Sequence, residues 1–169
     1  MTASLKLKID RPIPLAQLAE LAATRIAEML NTRGRKFKVG FHVPPGASFS
    51  EAPSMIPDHP RWGLYFYLEG VDESLVDAHL STLSMESGHE PVVLHLEERR
   101  TPASKALAAS LAIAAGELLN QNVFDDEHVW TDLDEIRPSD LQRQLSASEP
   151  RATIDSALNE FVQRMKRAM

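Results

Sequence analysis

The stretch WGLYFYLEGVDESLVDAHLSTLSMESGHEPVVLHLE, residues 62–97, decides the fold. Trp62, Leu64, Phe66 and Leu68 alternate with Gly63, Tyr65 and Tyr67, the period-two pattern of a strand. With apolar or aromatic residues on both faces, that strand is expected centrally or beneath a covering segment. Gly70 and then Asp72 or Ser74 offer a helix start, and Leu75, Val76, His79, Leu80 and Leu83 recur at three- and four-residue spacing. The spacing predicts a helix that Gly88 ends. Val92, Leu94 and Leu96 then alternate with Val93, His95 and Glu97 in a further strand.

Upstream, Leu5, Leu7 and Ile9 alternate with Lys6, Lys8 and Asp10 in a half-buried strand. Pro12 and Pro14 suit a helix entry, and Leu15, Leu18, Ala19, Ala22, Ile26, Met29 and Leu30 form one helical stripe ending near Asn31 or Gly34. Phe37, Val39, Phe41 and Val43 mark the next strand, opposed by Lys36, Lys38, Gly40 and His42. The first six elements therefore read β-α-β-β-α-β, the ferredoxin-like order.

Downstream, Thr101-Pro102 opens a helix with Leu107, Leu111, Ala114, Ala115 and Leu118 buried, and Asn122 to Phe124 is a short strand. A short helix follows from about Ser139 to Leu145. The last, within residues 149–169, carries Ile154, Ala157, Leu158, Phe161, Val162 and Met165 on one stripe, with Arg164, Lys166 and Arg167 where they favour its dipole. The expectation is one α+β domain over residues 1–169. Its ferredoxin-like core is extended by an α-β unit and two C-terminal helices on a mixed or antiparallel sheet, with residues 146–151 the one plausible hinge.

Composition narrows the function classes. No stretch approaches the roughly 20 apolar residues of a membrane span, and the start, Met1-Thr-Ala-Ser-Leu-Lys-Leu-Lys, lacks a hydrophobic signal core, so a cytoplasmic protein is expected. Zero cysteines exclude disulfides, thiolate metal sites and cysteine nucleophiles. GxSxG, SxxK, GxGxxG and P-loop spacings are absent, so no catalytic residue is assigned. The six histidines include no HExxH and no i,i+4 pair. His42, His95 and Glu97 could meet across two strands, yet solvent-facing positions explain them as well, and neither metal nor cofactor is expected. Lys6, Lys8, Lys36 and Lys38 could share one sheet face, but Phe37 and Phe41 fall opposite them, which argues against nucleic acid.

Charge is distributed unevenly. Residues 61–136 hold 15 Asp/Glu against 4 Lys/Arg, whereas both flanks are net positive. Six of those acids fall within residues 125–135: Asp125, Asp126, Glu127, Asp132, Asp134 and Glu135, interleaved with Phe124, Val129 and Trp130. A calcium loop would need a glycine and a spaced terminal glutamate that this run lacks. It is read as a surface that attracts a basic protein partner.

Ala106-Leu107-Ala108, Leu111, Ile113-Ala114, Asn120, Val123-Phe124-Asp125-Asp126 and Trp130 together resemble a pattern of immunity proteins from bacterial polymorphic toxin systems. The resemblance covers residues 103–130. It implies a non-enzymatic inhibitor, monomer or homodimer, that neutralises a cognate toxin domain by tight complex formation. From the acidic pattern, the expected contact patch is Asp125, Asp126, Glu127, Trp130, Asp132 and Asp134, although core packing competes as the role of Phe124 and Trp130. Two alternatives stand beside it. One is a small enzyme with a dispersed site near the Pro-rich loop of residues 44–60, using His42, Asp58 and His59; the other is an adaptor docking through its C-terminal helix.

Overall fold

A computed structural model of the chain describes residues 3–32, 34–42, 54–55, 63–82 and 92–165. Nine strands and four helices alternate along them: β1 (Ser4–Ile9), β2 (Ile13–Pro14), α1 (Leu15–Leu30), β3 (Val39–His42), β4 (Ser54–Met55), β5 (Gly63–Leu68), β6 (Val76–Thr82), β7 (Val92–Glu98), α2 (Pro102–Leu119), β8 (Val123–Phe124), β9 (Glu135–Ile136), α3 (Pro138–Leu145) and α4 (Ile154–Arg164). Seven strands form one sheet in the order β3-β5-β6-β7-β1-β8-β9, and every neighbouring pair runs antiparallel. β2 and β4 make a separate two-residue ladder.

The α+β class is as read, but the ferredoxin-like order is not. Residues 76–82, expected in a helix, are strand β6, paired with β5 on one side and β7 on the other. Val76 and Leu80 are four residues apart, and positions i and i+4 share a face in a helix and in a strand alike. The strand set is completed by Ala78, with Asp77, His79 and Ser81 opposite, and the adjacent strands settle the ambiguity. Ser74, which resembled a helix cap, fastens the hairpin instead: its hydroxyl accepts from Leu68 N at 2.8 Å and lies 3.0 Å from Val71 O.

Register builds the core as rows across the sheet. Leu64, Ala78, Leu96 and Leu5 stand side by side on four strands, with Leu80, Leu94 and Leu7 in the next row. All are buried, and each large aliphatic side chain so buried contributes about 1.5–3 kcal/mol. α1 and α2 cover this face, and α3 and α4 pack on them as a third layer. α2 is buried on nearly every side, which explains its apolar composition and its alanines: small side chains let both the sheet and the outer helices approach closely. Thr101 caps it by accepting from Ser104 N at 3.1 Å. α1 and α2 both end in left-handed asparagines, Asn31 and Asn120.

The segment after α3 is tied down. Ala147 N donates to Met29 O and Arg151 N to Asn31 O, both at 2.9 Å. Ala157, Leu158 and Phe161 of α4 are buried against the rest of the chain, with Ile154 and Val162 partly buried beside them. Apart from Ser54 and Met55, which form β4, the Pro-rich loop with Asp58 and His59 lies outside the described residues, as does the basic pair Lys166 and Arg167. Among the described residues no helix is long and apolar enough to cross a membrane.

Candidate functional site

The acidic run is a turn built around one inward carboxylate. β8 pairs with β1 through Phe124 opposite Lys6, and with β9 through Phe124 opposite Glu135. Asp125 N then donates to Asp134 O at 2.9 Å, and His128 N donates to Asp125 O at 3.1 Å, closing a turn with Asp126 and Glu127 at its corners. His128 adopts a left-handed conformation at φ 53°. That reversal aims the next three amides back at the Asp125 carboxylate: Val129 N at 3.2 Å, Trp130 N at 2.7 Å and Thr131 N at 2.9 Å.

Two expected contact residues are therefore corrected. Asp125 is fully buried because its oxygens satisfy three backbone donors inside the turn. Trp130 is fully buried too, its indole Nε1 donating to Lys105 O of α2 at 3.1 Å. Neither can meet a partner at the surface; both hold the loop. Thr131 is enclosed beside them, within 3.2 Å of Gln144 Oε1.

The other four expected residues reach solvent at least in part. Asp126 is 56% exposed and ion-paired with Lys6 at 2.7 Å. Glu127 accepts from Ser4 N at 3.3 Å. Asp132 is half-buried, and Asp134 is 82% exposed with its carboxylate 2.5 Å from His128 Nε2. Between the last two stands Leu133, 54% exposed, the one large apolar side chain left in solvent among the described residues. A lone leucine flanked by aspartates in a loop was the available signal for it. The exposed large apolar side chain of this run is thus Leu133, three positions after the buried Trp130.

The face of the sheet opposite α1 and α2, which carries no helix among the described residues, adjoins this turn, and its content was hidden by the helical reading of β6. Across it run His42, Tyr65, Asp77, Glu97 and Ser4 in one row, and His79, His95, Lys6 and Phe124 in the next. His42 stacks on Tyr65 at 4.9 Å and His79 on His95 at 4.6 Å between ring centroids. Asp77 is bridged by Arg99 through two hydrogen bonds, at 2.6 and 3.0 Å. Tyr67 lies across Gly40, where a Cβ would come within 2.4 Å of its ring.

Ser81 Oγ lies 2.6 Å from His95 Nε2. Partial burial pushes the His95 imidazole down to about 4, with further lowering from His79 and Lys6 and opposition from Glu97 and Asp126. The ring is therefore neutral at pH 7. Among the described residues no three His, Asp or Glu side chains gather closely enough to hold a metal ion. The lysines do not form one basic patch: Lys6 and Lys8 sit on β1, four strands away from Lys38 at the β3 edge, and Lys6 is engaged by Asp126.

Open clefts among the described residues lie elsewhere. One of about 670 Å³ separates the β5–β6 turn from the starts of α2 and α4, with Asp72, Glu73, Asp155 and Arg35 on its walls. Another, about 800 Å³, runs between α1 and β3. No protein-family model matches the chain. No curated protein and no solved structure matches it either.

Proposed function

We propose that this chain is a non-enzymatic inhibitory binding protein of the immunity type, which acts in the cytoplasm by sequestering a basic toxin domain. The observation that carries this reading is the division of labour in the 125–135 turn. Asp125 and Trp130 anchor it from within, while Asp126, Glu127, Leu133 and Asp134 are exposed and Asp132 is half-buried. A loop held in place before binding loses less conformational freedom on association, so more of the contact energy appears as affinity. Carboxylates on its rim speed encounter with a basic partner and discriminate against acidic ones. Leu133 supplies apolar area that such a complex would cover. The resemblance of residues 103–130 to immunity proteins points the same way, although Asp125 and Trp130 serve the turn in this chain and not the contact.

The test is charge reversal without unfolding. The double variant Asp126→Lys, Asp132→Lys should keep its far-ultraviolet spectrum and lower affinity for the partner at least a hundredfold in low salt, mainly through slower association. Equal affinity for the variant and the native chain would refute the patch.

A further inference from the structure

We infer that the β3 edge of the sheet takes up an extended acidic segment of a partner protein as an added strand, its apolar side chains filling the groove beneath α1. This surface is separate from the acidic turn. β3 and β9 are opposite edges of the seven-stranded sheet, about 29 Å apart at the usual strand spacing.

The backbone supplies the first part of the argument. Glu69 N donates to Lys38 O at 2.9 Å, so Lys38 and Glu69 are a hydrogen-bonded pair of the antiparallel ladder. Alternation then makes Gly40 and Tyr67 the next such pair and leaves the N–H and C=O groups of Val39 and Phe41 directed away from β5. Among the described residues no strand pairs with this side of β3, and an edge of this kind is a template for one more strand.

The side chains supply the second part. Phe37, Val39 and Phe41 face the core side of that edge, and Phe37 and Phe41 are only half-buried. Across from them α1 presents Ala19, Ala23 and Ala27 as a stripe of small residues, and the space between is about 800 Å³. α1 thus overhangs the sheet where an eighth strand would run, with room for alternate apolar side chains beneath it.

Charge selects the occupant. Lys36 and Lys38 are exposed and alternate with Phe37 and Val39, with Lys38 Nζ 3.9 Å from the Glu69 carboxylate, and Arg35 stands at the same rim; Glu20 and Glu28 line the groove on the α1 side, where like charge disfavours acidic side chains. A strand added beside them would set its outward side chains against these cations while its inward ones enter the groove. The fitting sequence alternates acidic and small apolar residues. Pairing of β3 with the same edge of a second copy would instead bring two sets of these cations together.

The test is an amide-resolved NMR titration of the full chain with a capped octapeptide alternating glutamate and valine. Expected are shifts concentrated at residues 37–42 and along Ala19 to Ala27. The double variant Lys36→Glu, Lys38→Glu should weaken binding about tenfold, and a peptide with alternate amides N-methylated, unable to complete the ladder, should cause no shifts. The idea falls if millimolar peptide leaves these amides unmoved, or if the N-methylated or a lysine–valine peptide binds equally well. It also falls if the same amides shift with protein concentration alone, which would make a second copy the occupant.

Discussion

Replacing Asp125 by alanine should cost more stability than any other single acidic substitution in the 125–135 turn. The side chain accepts hydrogen bonds from Val129, Trp130 and Thr131, and two of those residues are fully buried. A buried donor left without a partner costs about 1–3 kcal/mol. Val129 is half-buried and can recover water, so the loss comes chiefly from Trp130 and Thr131, giving about 3–5 kcal/mol in all. For a domain whose total stability is typically about 5–15 kcal/mol, that is a large share. Asp125→Asn keeps one carbonyl oxygen for the Trp130 and Thr131 amides but turns an NH2 group toward Val129, and should lose about 1–3 kcal/mol. Urea unfolding followed by tryptophan fluorescence measures both, with Asp126→Ala as the control. Asp126 holds only a surface pair with Lys6, worth about 0–1 kcal/mol. If Asp125→Ala unfolds within 1 kcal/mol of the native chain at an unchanged urea slope, the carboxylate does not organise this turn.

Gly116→Ala would place a Cβ 2.5 Å from Pro138 Cγ and 2.8 Å from Gln121 O. Despite alanine's better helix propensity, it should lower stability by about 1–2 kcal/mol, read as a drop of about 3–8 °C in melting temperature. Trp130→Phe removes the indole hydrogen bond to Lys105 O and leaves a void beside α2, and should cost about 2–3 kcal/mol in urea unfolding. His95 titrates near 4 when folded and near 6.5 when unfolded. The unfolded chain therefore binds the extra proton between these values, and this contribution to stability is complete above about 6.5 and lost as pH falls toward 4. Because the ring keeps partial access to solvent, screening holds the effect to on the order of 1 kcal/mol; a His95→Gln chain should lose less stability than the native one between pH 6.5 and 4.

Elements with a sustained periodic pattern were readable from sequence, and so were the short β8 and α3, but other short elements were not. α1, α2 and α4 announce themselves because an apolar stripe over three or more turns fits no strand. α2 also carries its own start signal at Thr101-Pro102. Residues 76–82 misled because a seven-residue segment with Val76 and Leu80 apolar satisfies both periods, and only pairing with β5 and β7 decides between them. The two-residue strands β2, β4 and β9 leave no periodicity to read. At the acidic turn, density of charge located the surface but could not say which carboxylate faces inward. Asp125 differs from Asp126 only in its place before a left-handed residue at His128, a backbone property that the sequence expresses weakly. The histidine pair on the open sheet face became visible only once β6 was a strand.

Parallel capture by the tagged native chain and by a folded variant carrying Asp126→Lys, Asp132→Lys and Asp134→Lys, from lysate of the cells that make the protein, tests the proposal most directly. The account predicts one basic protein bound stoichiometrically to the native chain, absent from the variant, toxic when expressed alone and harmless when the native chain is co-expressed. The same partner on both chains, or a partner whose toxicity the native chain does not relieve, would contradict it.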